Sequence, residues 1–232
     1  MDDVTRILAI ETSGRLGSVA ALLGTAQGLE LLSEVSLTGT ERTAQALAPT
    51  LQEMLQKVRW APASIGLVAV AIGPGSFTGL RIGVTTAKAL AYSLGAEIIG
   101  VNTLDALAVQ ASPFSAPLWA ILDAQRQELF AAKFVAVDDG TMQAVRETAI
   151  VSQEHWLKQL QSGDRVIGPA LSRLASRLPP GVESLAEDAW QPMASSIGKV
   201  AWREYLAGRR DDLWQLSPNY YRASAAEEKL LL

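Results

Sequence analysis

The feature that most constrains the fold is a glycine-rich loop between a buried strand and a helix. Residues 67–72 are all apolar, include two valines and an isoleucine, and are bounded by glycines, which predicts a strand buried on both faces. The next seven residues, from Gly73 to Gly79, read Gly-Pro-Gly-Ser-Phe-Thr-Gly. Such a loop turns sharply and presents backbone N–H groups at the start of a helix, where the helix dipole favours an anion.

The loop resembles neither of the two common phosphate-binding motifs. Lys88 comes too late for a P-loop, and the glycine spacing differs from the dinucleotide fingerprint. Arg81 lies in the first turn of the predicted helix, where a cation opposes the dipole and needs an anion. That anion could be a carboxylate of this chain, a partner's carboxylate or a phosphate; we expect a carboxylate of this chain. The candidate residues of a vestigial phosphate site here are Gly73, Gly75, Ser76, Thr78 and Arg81.

The helix after the loop carries a stripe of small side chains. Gly79, Gly83, Ala87 and Ala91 recur at four-residue spacing, so they share one face. A stripe of this kind lets another backbone approach closely. Two interpretations remain open: the stripe packs on the protein's own sheet, or it receives a partner helix.

The composition describes a folded protein and excludes several chemistries. Hydrophobic residues make up 49% of the 232 and charged residues only 19%, which argues against a long disordered segment. There is no cysteine, which excludes disulfides and thiol nucleophiles. The one histidine, His155, is predicted to lie on a short amphipathic helix capped by Ser152. One histidine without cysteine supports neither a conventional zinc site nor a Ser-His-Asp triad.

The charge argues against independent nucleic-acid binding. The net charge is −4, and cations cluster only at Arg203, Arg209 and Arg210. The acidic N-terminus leads directly into a strand, so we expect no signal peptide. No apolar run approaches the ~20 residues that a membrane span needs. We therefore expect a cytoplasmic protein without a membrane partner.

The first third of the chain predicts three strands followed by alternating helices and strands. The predicted strands are 7–10, 18–23, 30–36, 67–72 and 97–101, and the predicted helices are 43–58, 78–94 and 103–110. Leu47, Leu51 and Leu55 share a face of the first helix, and Pro49 either kinks that helix or delays its start to about Leu47. The order β-β-β-α-β-α-β-α is that of the α/β class with a ribonuclease-H-like or actin-like fold.

The same pattern begins again after residue 117. Residues 112–117 contain two prolines and two serines, which favours a boundary between a first unit at 1–111 and a second at 112–232. Strands are predicted at 118–122, 128–135 and 141–151, and a closing helix at 194–206. We interpret the chain as two related halves.

An acidic residue ends the first strand of each half. Glu11 is followed by Thr12 and Ser13, whose hydroxyls could contact a phosphate, and Asp123 takes the corresponding place in the second half. In one interpretation the two carboxylates face each other across a cleft and hold magnesium near ATP. In the other they cap turns or pair with Arg15 and Arg126, and this alternative is favoured because strand-end acids are commonly solvated.

Several motifs together resemble the TsaB (YeaZ) family. The longest match is the segment 73–83, and 100–104 follows it; 7–13, 122–128 and 218–229 match in the family's order over essentially the full chain. The resemblance implies an actin-like ATPase-superfamily fold and a role in making N6-threonylcarbamoyladenosine in tRNA. It implies a heterodimer with the catalytic paralogue TsaD, a complex with the small ATPase TsaE, a homodimer when alone, and tRNA contact only through the complex.

The resemblance also implies that this chain holds no catalytic metal. The paralogue has a histidine pair on its first long helix; none stands here, and Thr43 replaces a histidine that many family members carry. Gln125 stands where the family usually has Arg. We therefore expect no catalytic residue and no intrinsic cofactor, with at most weak ATP or ADP binding, and metal and ATP supplied through TsaD and TsaE.

The resulting expectation is a non-catalytic scaffold that pairs through helices 43–58 and 78–94. The pairing residues predicted on these helices are Leu47, Leu51, Leu55, Gly79, Gly83, Ala87 and Ala91. The alternative is an ATPase or phosphotransferase that uses Mg-ATP bound by Glu11, Thr12, Ser13 and Asp123, and only the fold favours it.

Overall fold

Two five-stranded mixed sheets form the frame of the protein. The computed structural model describes residues 4–37, 43–111, 115–137 and 141–222. The strands of the first sheet are β1 (Thr5–Glu11), β2 (Ser18–Thr25), β3 (Gly28–Ser36), β4 (Leu67–Gly73) and β5 (Glu97–Asn102), in the order β3-β2-β1-β4-β5. Strand β1 pairs antiparallel with β2 and parallel with β4, and every residue of β4 is buried. The predicted doubly buried strand is therefore confirmed.

The second sheet repeats the connectivity of the first. Its strands are β6 (Leu118–Asp123), β7 (Glu128–Ala136), β8 (Met142–Ser152), β9 (Arg165–Ile167) and β10 (Glu183–Ser184), in the order β8-β7-β6-β9-β10. In both sheets the third, second, first, fourth and fifth strands lie side by side in that order. The predicted pair of related halves with an actin-like topology is confirmed.

Helices separate and cover the sheets. They are α1 (Thr43–Lys57), α2 (Phe77–Leu94), α3 (Thr103–Ala111), α4 (Gln153–Gln159), α5 (Leu171–Leu174) and α6 (Ala194–Leu206). Helices α1 and α2 cover one face of the first sheet, and α6 covers the other face with part of α3. The opposite side of α3 packs on the second sheet, whose far face carries α4 and α5. The layers thus alternate between helix and sheet.

Helix α1 runs through its proline. It begins at Thr43, and Pro49 lies inside it with an exposed ring. An interior proline removes one backbone hydrogen bond, and packing on the sheet by Leu47, Leu51 and Met54 compensates. The late start near Leu47 is therefore wrong.

Helix α6 comes from the end of the chain but packs on the first sheet. Ile197 and Val200 are buried against β1 and β2. The helix has no cap of its own: Ser18 Oγ accepts a hydrogen bond from Ala194 N at 2.8 Å, and Glu34 Oε1 accepts one from Ser195 N at 3.0 Å. The division into 1–111 and 112–232 stays a prediction, to which the structure adds this crossing. Residues 112–114 and 223–229, parts of the predicted boundary and tail, lie outside the described residues.

Candidate functional site

The turn after β1 is closed by its own side chains. Ser13 donates two hydrogen bonds to Glu11 Oε1, one from its backbone N at 2.6 Å and one from its hydroxyl. The Thr12 hydroxyl donates to the Gly79 carbonyl at 2.8 Å. Glu11 is 0% exposed, Thr12 1% and Ser13 5%. The three residues that sequence reasoning assigned to a phosphate or magnesium therefore contact the protein itself.

Burial changes the acidity of Glu11. Loss of solvent raises the pKa of the Glu11 carboxyl to about 7, against the lowering effect of the Ser13 hydrogen bonds. The neighbouring Glu34 carboxylate raises the pKa further. Among the described residues, no hydrogen-bond donor reaches the Oε2 atom of Glu11. A buried carboxyl with one unpartnered oxygen is most stable when it carries a proton.

Three glycines, one just before α2 and two within it, lie directly against this turn. A Cβ on Gly79 would lie 2.0 Å from the Thr12 carbonyl oxygen, and one on Gly83 would lie 2.2 Å from Thr12 Oγ1. A Cβ on Gly75 would lie 2.6 Å from the Ser13 carbonyl oxygen. These three positions leave no room for a side chain, so the β1 turn and the start of α2 are in direct backbone contact.

The small-residue stripe is therefore internal. Gly79 and Gly83 contact the β1 turn, while Ala87 is 0% exposed and Ala91 2% exposed in the core between α2 and the first sheet. The close approach expected of a partner helix is made instead by the protein's own backbone, which corrects that interpretation. The leucines of α1 also face inward: Leu47 and Leu51 are buried, and Leu55 is half-buried against the same core.

The glycine loop likewise contacts the chain itself. Ser76 N donates to the Ser13 carbonyl at 2.7 Å, and Ser76 Oγ caps α2 by accepting from Gly79 N at 3.2 Å. Gly73 is buried, and a Cβ there would lie 3.0 Å from the Asn219 carbonyl oxygen. Within the loop 73–79, Ser76 and Thr78 are the exposed residues.

Arg81 is held by aromatic rings. Its guanidinium lies 4.0 Å from the centroid of Phe77, and its Nε donates to the Tyr220 hydroxyl at 3.0 Å. Among the described residues, the contacts of the Arg81 guanidinium are with these aromatic side chains, and the expected structural carboxylate stays a prediction. The quadrupole of the Phe77 ring supplies the negative potential that the cation needs.

Asp123 occupies the equivalent turn of the second half but remains partly exposed. Its Oδ1 accepts from Gln125 N at 2.8 Å, and its Oδ2 pairs with Arg173 Nη1 at 3.0 Å. Gln125, Arg126 and Gln127 all have positive φ, so this turn is sharply bent. The favoured interpretation, that both acids close turns, agrees with these contacts, and they add Arg173 as a cation paired with Asp123.

Two further expectations meet the structure here. His155 is exposed on α4, and Ser152 Oγ caps that helix by accepting from His155 N at 3.3 Å. Within the described ranges, no group of three or more His, Asp and Glu side chains is placed to hold a metal ion. No helix of those ranges is both long and apolar enough to cross a bilayer.

Sequence reasoning missed residues of the C-terminal segment that contact the glycine loop. Asn219 N donates to the Ile72 carbonyl at 2.7 Å, and Asn102 Nδ2 donates to the Tyr221 hydroxyl at 3.0 Å. Lys88, the second cation of α2, donates to the carbonyls of Trp214 and Leu216. No local pattern could have paired residues more than a hundred positions apart.

Comparison with known proteins identifies the family. Residues 30–201 match the family model described as TsaD: tRNA N6-adenosine threonylcarbamoyltransferase. The tRNA threonylcarbamoyladenosine biosynthesis protein TsaB of Escherichia coli (strain K12) is 30% identical, and the alignment covers 97% of this chain and 98% of that protein. The chain belongs to the TsaB family, within the wider family of that model. TsaB of Bacillus subtilis (strain 168) is 32% identical over 69% of this chain and 68% of its own length.

Solved structures agree on the fold. YeaZ from Pseudomonas aeruginosa has a TM-score of 0.78 at 23% identity, over 93% of this chain and 99% of that chain. A second Pseudomonas aeruginosa structure, of an uncharacterized protein with similarity to peptidase YEAZ, has a TM-score of 0.80 at 24% identity. At such identities the likeness concerns the fold alone.

Proposed function

We propose that this protein is a non-catalytic subunit that pairs with the catalytic paralogue TsaD. The complex transfers threonylcarbamoyl to N6 of adenosine 37 in tRNAs that decode ANN codons. The names of the full-length Escherichia coli relative and of the matching family model support a place in this pathway. In this role the protein supplies a surface, and its partner supplies the chemistry.

The observation that supports this proposal most is that the polar side chains after β1 form hydrogen bonds within the protein. Glu11 is bonded to Ser13, and glycines of α2 pack directly on Thr12. An ATPase or phosphotransferase would need Glu11, Thr12 and Ser13 to face a ligand, whereas all three are at most 5% exposed. Two surface cavities of the described residues, one beside Trp202 and one beside Arg209, contain none of them.

The outer surface of α1 and α2 supports pairing. Both helices cover the same face of the first sheet, so their exposed sides point the same way. The exposed residues of these helices include four uncharged ones, Ala48 and Gln52 on α1 and Thr85 and Ala89 on α2. Such a surface permits close helix packing without desolvating a charge. We assign the pairing to these residues in place of the buried stripe.

The remaining partners follow from the same role. TsaE joins the TsaD complex, tRNA is contacted only indirectly, and the protein forms a homodimer through the same face when TsaD is absent. Metal and ATP reach the complex through TsaD and TsaE, and the isolated protein binds nucleotide at most weakly. The complex works in the cytoplasm.

The test places two charges in the proposed face. The double variant Ala48→Arg with Ala89→Arg keeps the wild-type fold, because both positions are exposed. We expect it to lose co-purification with TsaD from the same organism and to lower threonylcarbamoylation by the reconstituted complex about tenfold or more, since buried unpaired cations are costly at an interface.

Ala207→Arg is the matched control, since Ala207 is also exposed but lies beyond α6 on the other side of the sheet. If the double variant co-purifies with TsaD as the wild type does, the pairing face is elsewhere. If the isolated wild-type protein modifies adenosine without TsaD, the non-catalytic role is wrong.

A further inference from the structure

The last described residues form a strap, residues 218–222, across the crevice between the two halves. Asn219 is hydrogen-bonded to the end of β4, and Arg222 is hydrogen-bonded to the β6–β7 turn of the second half. In an open α/β sheet, ligands bind outside the carboxyl ends of the strands where the strand order reverses, which here is between β1 and β4. The strap lies at the carboxyl ends of β4 and β5, next to that point.

Each residue of the strap after Pro218 has its own receptor. The Asn219 backbone N donates to the Ile72 carbonyl at 2.7 Å, as an added strand would. Tyr220 stacks on Phe77 with ring centroids 4.5 Å apart and accepts from Arg81. One residue thus contributes a main-chain contact, and the next fills an aromatic and cationic pocket.

The following two residues contact both halves, Tyr221 through Asn102 and Phe130 and Arg222 through the second half alone. The Tyr221 hydroxyl accepts from Asn102 Nδ2 at 3.0 Å, and its ring lies 5.9 Å from Phe130. Arg222 Nη1 donates to the Ala124 carbonyl at 2.6 Å, and Arg222 Nη2 pairs with Glu128. A carboxylate and a carbonyl acceptor together select a guanidinium.

This arrangement is that of a peptide and its receptor. Contacts of three kinds, to backbone, aromatic ring and charge, hold four consecutive residues, and the side chains of the last three take part. Two residues of the strap also bury little surface area, since Tyr220 is 44% exposed and Asn219 is exposed. A segment fixed by specific polar contacts and little buried area can open locally without global unfolding.

We propose that the crevice at the ends of β4 and β5 is a peptide-binding site for an Asn-Tyr-Tyr-Arg segment, which the strap fills in cis. The tethered strap excludes competitors through its high local concentration, so the site is closed in the resting protein. Release of the strap uncovers Ile72, Phe77, Asn102 and Glu128 together. This site is separate from the pairing face, and its test does not involve TsaD.

The test uses the full chain and a labelled peptide of residues 217–222. The variant Tyr220→Ala with Arg222→Ala removes the aromatic and charged contacts of the strap and leaves the receptor residues intact. We expect the peptide, followed by fluorescence anisotropy, to bind this variant about tenfold or more tightly than the wild type, because the cis competitor is weakened. A peptide with both tyrosines and the arginine replaced by alanine is expected not to bind.

Tyr92→Ala is the matched control, because Tyr92 is an exposed aromatic of α2 whose ring contacts that of Trp214 edge to face and lies outside the strap contacts. It is expected to bind the peptide as weakly as the wild type. If the double variant does not fold, the single variant Arg222→Gln, which keeps the side chain's length, is expected to give the same direction. Equal peptide binding by wild type and a folded strap variant, or no binding by either, overturns the proposal.

Discussion

The turn after β1 and the turn after β6 occupy the same place in two halves of the same topology, yet their acids differ. Glu11 is fully buried and its pKa is raised to about 7. Asp123 is partly exposed and pairs with Arg173, which is itself largely in solvent. The difference is therefore not in the strand that carries each acid.

The difference arises from the helix that follows the fourth strand. In the first half this helix is α2, with 18 residues, and its glycines press directly on the β1 turn. In the second half it is α5, with only four residues, and the closest approach is that of Gly168, whose Cβ would lie 2.0 Å from the Ile121 carbonyl oxygen. A long glycine-faced helix buries its strand-end acid, and a short helix leaves it exposed.

The largest effect that tests this comparison is the pH dependence of Glu11. The pKa of the Glu11 carboxyl is about 7 in the folded protein, against 4.5 for an unperturbed glutamate. Between these two pH values the folded protein keeps the proton that the unfolded chain has lost. The free energy of unfolding should therefore fall by about 3 kcal/mol as pH rises from 4.5 to 7, and then level off. Glu11→Gln should lack this slope in urea titrations across that range.

Asp105 contributes a similar slope at lower pH, because burial raises the pKa of its carboxyl to about 6. It does so in both proteins, so the difference between wild type and Glu11→Gln isolates Glu11. Asp123→Asn serves as the counterpart in the second half. Equal slopes in the wild type and in Glu11→Gln would mean that Glu11 is ionised in the folded protein.

The next effect probes the contact that buries Glu11. Gly79→Ala places a Cβ against the Thr12 carbonyl, and neither backbone can yield without displacing the turn or the helix. We expect a net loss of about 2 kcal/mol, since overpacking outweighs the gain of about 1 kcal/mol in helix propensity.

Gly28→Ala is the control for that substitution, because nothing lies within 4 Å of a Cβ at Gly28. Its free energy of unfolding should change by less than about 0.5 kcal/mol. Comparable unfolding curves for the two variants would show that the turn and helix are not in close contact.

The smallest effect concerns the ion pair of the second half. Arg173→Ala should lower the free energy of unfolding by at most about 1 kcal/mol and less at high salt, because the pair is exposed. Chemical denaturation at low and high salt measures it. A loss as large as that of Gly79→Ala would mean that the two turns are equally dependent on their partners.

Sequence patterns predicted the frame of this protein well. The alternation and length of the apolar runs predicted β1 to β8, and capping residues such as Ser152 located helix starts. Of the two alternatives for α1, the start at Thr43 is confirmed and the start near Leu47 is wrong, since the buried face of the helix outweighs Pro49. These signals are local, so one sequence contains them.

The site was harder to predict because its contacts join distant residues. A stripe such as Gly79 and Gly83 fits any close backbone, and the pattern does not say whether that backbone is Thr12 or a partner. The position of Arg81 likewise predicts a nearby negative potential, but it does not identify Tyr220 as the partner, since Tyr220 lies 139 positions away. The strap was invisible because Pro218 and the residues after it have no periodicity.

The borrowed cap of α6 has a consequence for how the protein is made. Ser18 and Glu34 complete that helix, and the helix in turn covers one face of the first sheet together with part of α3. On the ribosome, this face stays bare until translation has passed through the entire second half. A chain truncated before residue 194 would therefore leave the apolar residues of that face exposed.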